Sequence, residues 1–196
     1  MPTEHSIISE IIRNRRSVKP AAMDPDRELS RELLDEIFEN ANWAPTHGFT
    51  EPWRFKVFAG DSRQRLADRL QELYREFTPS GEFRNDKFEK LGKNPLLAPV
   101  VVAICMARGD NPKIPELEEI EAVACAVQNM HLTASASELG GFWSSPPVLG
   151  TRGMGQFLGL RDEDRCLGLF YLGWLKEGES WPNSVRRPAG DKVEWM

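Results

Sequence analysis

The spacing of apolar residues switches between helical and strand periods along the chain. Helical spacing predicts five helices, at about residues 3–14, 30–41, 62–77, 114–139 and 151–160. The first carries a stripe of isoleucines at positions 7, 8, 11 and 12, and Thr3 is placed to cap it. Asp61 or Ser62 is expected to cap the third. Strands are predicted from Trp53, over Ala98–Met106, briefly at Phe142, and over Arg165–Leu175.

The strands differ in how deeply they should be buried. Ala98–Met106 and Arg165–Leu175 are nearly continuous apolar runs, which is typical of strands covered on both faces. The strand from Trp53 instead alternates, with Trp53, Phe55 and Val57 on one side. The length of 196 residues predicts a single domain covering residues 1–196, or one domain with a long excursion.

The long helix predicted over residues 114–139 has two unlike halves. Its first half is acidic, with Glu116, Glu118, Glu119 and Glu121. No histidine or cysteine accompanies them, so a solvated face is predicted and a metal site is not. Its second half is small and apolar, which indicates burial against the protein's own core or against a partner chain.

Two segments lack a clear pattern. Residues 78–95 are polar, and they predict either a mobile lid or a short helix. The tail over residues 176–196 is expected to be extended, and its Trp181–Pro188 part needs a surface to lie on.

Composition excludes several classes of protein. The 196 residues carry a formal net charge of −5, which gives no electrostatic case for nucleic acid or an anionic membrane. Cys105, Cys125 and Cys166 are too few and too scattered for a disulfide framework, and each lies in an apolar run that favours a buried free thiol. The polar N-terminus does not resemble a signal peptide, and no apolar run is long enough to span a bilayer. A cytoplasmic protein is expected.

The stretch between the second helix and the first strand is the most unusual in the chain. Pro45 and Pro52 restrict the residues before them, and Gly48 permits a sharp turn. This loop should therefore hold His47, Thr50 and Glu51 in fixed places. The alternative is a helix-to-strand connection that its prolines merely stiffen.

A second candidate segment follows the first helix, at Arg15-Arg16-Ser17-Val18-Lys19-Pro20. Pro20 favours an extended approach, in which Arg15, Ser17 and Lys19 project to one side. Two cations and a hydroxyl suit a phosphate group. The alternative is a solvated basic helix end that the helix dipole favours.

The order of these motifs resembles the flavin-dependent nitroreductase family, in its short-chain branch with Ala-Pro-x-His. The resemblance covers about residues 6–190 and rests on Arg-Arg-Ser, Ala-Pro-x-His, Pro-Trp, Gly-Gly-Phe-Trp and a late Arg-Arg-Pro. It implies an α+β sandwich with a mixed central sheet flanked by helices. It also implies an intertwined homodimer with two FMN sites at the interface.

The resemblance also implies roles for individual residues. Arg15, Arg16 and Ser17 match the family's phosphate-binding segment, and Arg187, with Arg186 as the alternate, matches a basic residue that completes it. His47 and Trp43 match positions beside the flavin. Trp143, Ser144 and Ser145 match the segment whose backbone meets the isoalloxazine ring. Glu51 departs from the family pattern, because an amide is usual there and an anion would oppose the charge of reduced flavin.

The activity implied is hydride transfer from NAD(P)H to nitroaromatic, quinone or similar small-molecule acceptors. The chain lacks a Gly-rich dinucleotide fingerprint, so both substrates are expected to use one flavin face in turn, in a ping-pong mechanism. No side chain is a certain catalytic residue, and His47, the candidate, could instead brace its loop. Three alternatives stay open: another reaction such as dehydrogenation or dehalogenation, FMN binding without robust turnover, and a structural dimer that has lost FMN.

Overall fold

The structure, a computed structural model, describes residues 2–196 and has an α+β architecture. Six α-helices and four strands make up its regular elements. The helices are α1 Glu4–Asn14, α2 Arg31–Asn42, α3 Ser62–Phe77, α4 Asn85–Lys93, α5 Glu116–Ala136 and α6 Arg152–Leu158. The strands are β1 Trp53–Ala59, β2 Val100–Met106, β3 Gly140–Ser144 and β4 Arg165–Gly173.

Short polar side chains set where several helices begin. Thr3, Ser30 and Thr151 each precede a helix and accept a hydrogen bond from a backbone N–H in its first turn. Helix α3 is different, because Asp61 stands at the capping position without a side-chain bond. The Ser62 hydroxyl instead bonds the backbone of Ala59, so it closes the turn between β1 and α3.

The strands form one sheet in the order β1-β2-β4-β3, and every neighbouring pair is antiparallel. The central strands β2 and β4 are the two apolar runs, as predicted. Parallel pairing is limited to a single bridge between Ser17 and Gly141, beyond the β3 edge. The predicted mixture of parallel and antiparallel pairing therefore comes down to this one bridge. The chain after α1 runs alongside β3 for too short a distance to form a strand.

Helices cover both faces of the sheet, which confirms the predicted sandwich. One core lies between the sheet and helices α2 and α5, and it contains Ile37, Ile104, Met130 and Phe170. The other lies between the sheet and helices α3 and α6, and it contains Leu66, Leu70, Met154 and Tyr171. Strand β2 is buried along its whole length because its side chains alternate between these two cores.

Residues 78–95 contain helix α4, so the short-helix alternative is the one observed. The helix packs against α3, where the Gln71 side chain donates to the Phe88 carbonyl over 3.0 Å. The rings of Tyr74 and Phe83 also contact each other at a tilt of 50°, with centroids 5.0 Å apart. In the tail, the backbone of Lys176 still bonds Ala22, whereas almost all side chains from Glu177 onward are exposed.

Several apolar side chains of the predicted stripes are exposed in the single chain. Ile7, Ile8 and Ile12 of α1 are among them, because no other element of the chain covers that face. Val57 is exposed where β1 forms the sheet edge. The prediction of three buried thiols is wrong for Cys125, which lies on the outer face of α5. Within the described residues, no helix is both long and apolar enough to cross a bilayer.

Candidate functional site

The Arg15–Ser17 segment lies along the edge of strand β3. Helix α1 ends at Asn14, and the N–H of the next residue, Arg15, still bonds the carbonyl of Ile11. The chain then extends, and the Val18 N–H donates to the Gly141 carbonyl over 3.0 Å. Ser17 itself forms the parallel bridge to Gly141. This pairing fixes the backbone beside the sheet, so that the arginine and serine side chains have a rigid base.

Three guanidinium groups gather here without a counter-charge. Burial, followed by the nearby charges of Arg186 and Arg16, lowers the pKa of Arg15 below its usual value. The Arg16 guanidinium donates to the carbonyls of Arg13 and Arg15, over 2.5 Å and 3.0 Å. Among residues 2–196, none of the three arginines forms an ion pair with a carboxylate. Such a cluster is suited to a multiply charged anion.

His131, which sequence reasoning left without a role, holds this segment from behind. It projects from α5, is almost fully buried, and places Nε2 3.0 Å from the Arg16 carbonyl oxygen. Its ring meets Phe170 edge-on, with centroids 5.2 Å apart. Burial lowers the pKa of His131 to about 4, so the neutral ring donates from Nε2 at physiological pH. The sequence did contain a signal for this role, namely a polar residue in the apolar half of a helix. A polar group that is buried there requires a hydrogen-bond partner.

Trp143, Ser144 and Ser145 end β3 on the same edge. The Trp143 indole N–H donates to the carbonyl of Leu167 over 3.4 Å, and the ring lies over Gly168, where a Cβ would overlap it. Because Trp143 is only two residues beyond Gly141, the structure brings this predicted segment close to Arg15–Ser17 within one chain. Of Arg186 and Arg187, it is Arg186 that lies near Arg15. The carbonyl of Arg187 accepts a hydrogen bond from the Lys192 ammonium.

A cavity of about 550 Å³ opens beside Ser144, between helices α3 and α4. Its walls are mainly apolar and include Tyr74, Phe77 and Tyr171. Tyr171 is buried, and burial raises the pKa of its hydroxyl, which therefore remains protonated and able to donate. This cavity suits a flat aromatic molecule that carries a hydrogen-bond acceptor.

The loop from Trp43 to Pro52, called here the His47 loop, is stiff and strained. The Thr46 hydroxyl accepts from the Glu51 N–H over 3.1 Å and lies 3.0 Å from the Thr50 hydroxyl. Three residues have positive φ: Gly48 at 58°, Phe49 at 55° and Glu51 at 41°. Such a conformation is costly for residues with a side chain, and it persists only where surrounding contacts enforce it. Strain of this kind clusters at binding sites.

His47 extends from this loop to the start of α5, where Nδ1 lies 2.5 Å from a Glu118 carboxylate oxygen. The prediction of a solvated face on the acidic half of α5 is therefore wrong in part, because Glu118 pairs with His47. Glu119 departs further, because it is buried, pairs with Arg108 and accepts from the Gly109 N–H over 2.8 Å. No three His, Cys, Asp or Glu side chains within residues 2–196 form a cluster that could hold a metal.

Within one chain, the His47 loop and the Arg15–Ser17 segment contact opposite ends of α5. His47 contacts Glu118, and Arg16 contacts His131, thirteen residues further along the helix. At 1.5 Å per residue these contacts are roughly 20 Å apart along the axis. Trp43, which follows α2, is 78% exposed, and its indole N–H donates to Glu39 of that helix. The structure thus does not bring Trp43 and His47 into one cluster with the arginines.

The buried His131 makes stability dependent on pH. Between pH 6.5 and 4 the unfolded chain binds a proton at this residue and the folded chain does not, so stability falls as the pH is lowered. The loss amounts to about 3 kcal/mol across this interval. In His131→Gln the amide can still donate to the Arg16 carbonyl but cannot titrate, so this variant should lose less stability.

Urea unfolding of both proteins at several pH values measures this difference. Other titrating groups are common to the two proteins and cancel in the comparison. Equal losses of unfolding free energy in both would show that His131 is not held neutral by burial.

Comparison with known proteins places these features in a family. The family model described as Nitroreductase family matches residues 12–174, which include most of the elements above. "Putative NAD(P)H nitroreductase YdjA" of Escherichia coli K12 is 29% identical over 165 residues, covering 84% of this chain and 86% of that protein.

Solved structures agree at the level of the fold. A nitroreductase-like family protein from Bacillus cereus aligns with a TM-score of 0.80 and 27% identity, over 100% of this chain and 98% of its own. The FMN-dependent nitroreductase NfnB from Mycobacterium smegmatis, solved in complex with NADPH, aligns with a TM-score of 0.75 and 18% identity, over 99% and 100%. Because the family model matches residues 12–174, which is most of the chain's length, the chain belongs to the nitroreductase family.

Proposed function

We propose that this protein is an FMN-dependent oxidoreductase that transfers hydride from NAD(P)H to nitroaromatic, quinone or similar acceptors by a ping-pong mechanism. The observation that carries the proposal is the group of three uncompensated guanidiniums at Arg15, Arg16 and Arg186, beside a rigid strand edge. The pairing of FMN with NADPH in NfnB supports it. The cytoplasm remains the expected compartment.

The residues present fit FMN. A phosphate dianion would supply the charge that the three arginines lack, and Ser17 offers a hydroxyl beside them. The backbone of Trp143–Ser145 continues from this edge, so that a ring system attached to the phosphate can lie against it. When bound, FMN would supply the group that accepts and returns hydride.

The protein's own residues would then orient the reactants and exclude water. Arg15 and Arg16 anchor the phosphate, His131 fixes the backbone carbonyl of Arg16, and Trp143 is held against Gly168. The cavity beside Ser144 offers an apolar wall and the Tyr171 hydroxyl to an aromatic acceptor. Protons consumed in the reduction can come from solvent, and no described side chain is needed as a dedicated acid.

We also propose that each site is completed by a second copy of the chain. Trp43 and His47 are the predicted flavin-side residues that one chain leaves remote from Arg15. In addition, several exposed apolar side chains have no cover in the single chain, namely Ile7, Ile8, Ile12, Phe49, Trp181 and Val185. A homodimer in which the His47 loop of one chain meets the Arg15–Ser17 segment of the other would bury such surface and assemble two sites.

Arg15→Ala should weaken FMN binding about tenfold or more while leaving the chain folded. The variant removes a charge-assisted bond worth about 1.5–3 kcal/mol. Titration of the apoprotein with FMN, followed by flavin fluorescence, measures the dissociation constant.

Arg65→Ala is the matched control, because Arg65 is an exposed arginine on α3, away from the strand edge. It should bind FMN as the wild type does. An unchanged dissociation constant in Arg15→Ala would remove Arg15 from the site and, with it, the main support for the proposed function.

Mixing Arg15→Ala with His47→Ala should restore activity if the site is shared between chains. Each hybrid dimer then has one site with both substitutions and one with neither. Random exchange of subunits gives about half hybrids, and hence about a quarter of the wild-type activity above that of the separate variants. The assay is run at an FMN concentration below the dissociation constant of Arg15→Ala.

Mixing Arg15→Ala with Arg16→Ala is the control, because both substitutions then affect the same half of the site and no intact site can form. A 22.3 kDa species in sedimentation equilibrium at micromolar concentration would contradict the dimer directly. Equal activity before and after mixing Arg15→Ala with His47→Ala would show that His47 does not complete the partner's site.

Initial rates at several fixed acceptor concentrations should give parallel double-reciprocal lines, because donor and acceptor occupy the same place in turn. His47→Ala should lower the rate and keep the lines parallel, since a positioning role does not change the order of binding. Lines that converge would require a ternary complex and a second substrate site. Bound FMN with no turnover for any acceptor would favour the binding-protein alternative.

A further inference from the structure

Two of the three cysteines face each other inside the sheet. Cys105 of β2 is the direct register partner of Cys166 of β4, and both thiols are free. Residues directly opposite in an antiparallel pair point to the same face of the sheet. Both side chains accordingly belong to the core between the sheet and helices α3 and α6. The interaction between the neighbouring thiols raises the pKa of Cys105 and lowers that of Cys166. In this structure each thiol donates to a backbone carbonyl, Cys105 to Ala103 and Cys166 to Gly168.

A β-bulge creates this pairing. The register shifts between Ile104 and Cys105, so that Ile104 pairs with Gly168 whereas Cys105 pairs with Cys166, and Leu167 is the extra residue. In an uninterrupted strand Leu167 would share a face with Leu169 and Tyr171, and Cys166 would lie on the other face. Instead Leu167 packs in the core under α5. The bulge thus turns Cys166 toward Cys105.

The two thiols differ in access. Cys105 is fully buried, whereas Cys166 is partly exposed and lines a cleft of about 380 Å³ between α6 and the start of β4. The charged side chains along this cleft are mostly paired with one another: Arg161 with Asp164 over 2.9 Å, and Arg152 with Asp162 over 4.0 Å. A small neutral oxidant can therefore reach Cys166 from solvent, whereas Cys105 is buried next to it.

We propose that Cys105 and Cys166 are a redox modification site, at which a hydroperoxide converts the two thiols into a reversible disulfide between β2 and β4. The Cys166 thiolate attacks a peroxide oxygen, the O–O bond breaks, and a sulfenic acid forms as water or an alcohol leaves. The Cys105 sulfur then attacks the Cys166 sulfur, the S–O bond breaks, and the hydroxyl leaves as water. Two electrons pass from the thiols to the peroxide, so that two thiols and one hydroperoxide give one disulfide, one water, and one alcohol (a second water when the oxidant is hydrogen peroxide).

The spacing of the backbone allows this bond. Paired residues in antiparallel strands have Cα atoms about 4.5–5.5 Å apart, inside the range of about 4.4–6.8 Å that disulfides span. The lowered pKa of Cys166 favours the attacking thiolate, and Cys105 lies directly opposite it on the neighbouring strand. The exposed Cys125 on α5 has neither a facing thiol nor a place in this cleft.

Formation of the disulfide would change the environment of the Trp143 side chain. The carbonyl of Leu167, the bulge residue next to Cys166, is the acceptor of the Trp143 indole N–H. A covalent bond at Cys166 draws β4 toward β2 at this residue, so the position of the Leu167 carbonyl and the environment of the indole change. Because Trp143 belongs to the candidate site, this link couples oxidation to that site, although the disulfide itself does not depend on the proposed function.

The experiment oxidises the full-length protein with hydrogen peroxide and maps its thiols by mass spectrometry. We expect the loss of two hydrogens per chain, a peptide pair joined through Cys105 and Cys166, and full reversal by a dithiol reductant. Cys105→Ser should leave Cys166 as a sulfenic acid that reacts with dimedone. Cys166→Ser should give neither product at this site, and Cys125→Ser, the matched control, should form the disulfide as the wild type does.

Tryptophan fluorescence tests the link to Trp143. Oxidation should change the emission of the wild type and of Cys125→Ser, and the change should be absent in Trp143→Phe. Oxidation confined to Cys125, or a Cys166 that goes directly to sulfinic acid while Cys105 stays reduced, would overturn the proposal. A disulfide that forms without any change in Trp143 emission would overturn the coupling to the site.

Discussion

The close approach of the chain after α1 to strand β3 is the contact on which the candidate site depends. It requires Gly140 and Gly141, because an added Cβ would lie 2.8 Å from the Val18 Cβ at the first and 2.7 Å from the His131 ring at the second. With both glycines in place, the Val18 N–H reaches the Gly141 carbonyl and His131 reaches the Arg16 carbonyl. These bonds fix the backbone of Arg15 and Arg16, whose like charges no carboxylate of the described residues compensates.

Much of the fold could be predicted because its signals are local. The apolar runs of β2 and β4 and the stripes of α2 and α3 each show their own period, and Thr3 and Ser30 marked where helices begin. The predictions that were wrong concern features that depend on contacts between residues far apart in the sequence. The exposure of Cys125 and the burial of Glu119 follow from which side of α5 meets the sheet, and the acidic half shows no period that reveals it.

The candidate site divides in the same way. Arg15, Arg16 and Ser17 could be found because a charged cluster and a nearby proline stand together in the sequence. His131 could not, because its partner is 115 positions away and its role is to hold a carbonyl oxygen. The facing of Cys105 and Cys166 was also out of reach, since it depends on a one-residue register shift that leaves no composition signal. The glycine pair was visible as part of the Gly-Gly-Phe-Trp motif, but the motif does not reveal which segment packs against the glycines.

Helix α5 also fixes the distance between the His47 loop and the Arg15–Ser17 segment of one chain. The loop is bound to the helix at Glu118 and the segment at His131, each through one side-chain contact. Adding one residue between these positions would shift the segment relative to the loop by about 1.5 Å and rotate it by roughly 100° about the helix axis. The thirteen-residue interval in α5 is therefore a dimension of the molecule that an insertion or deletion within it would change.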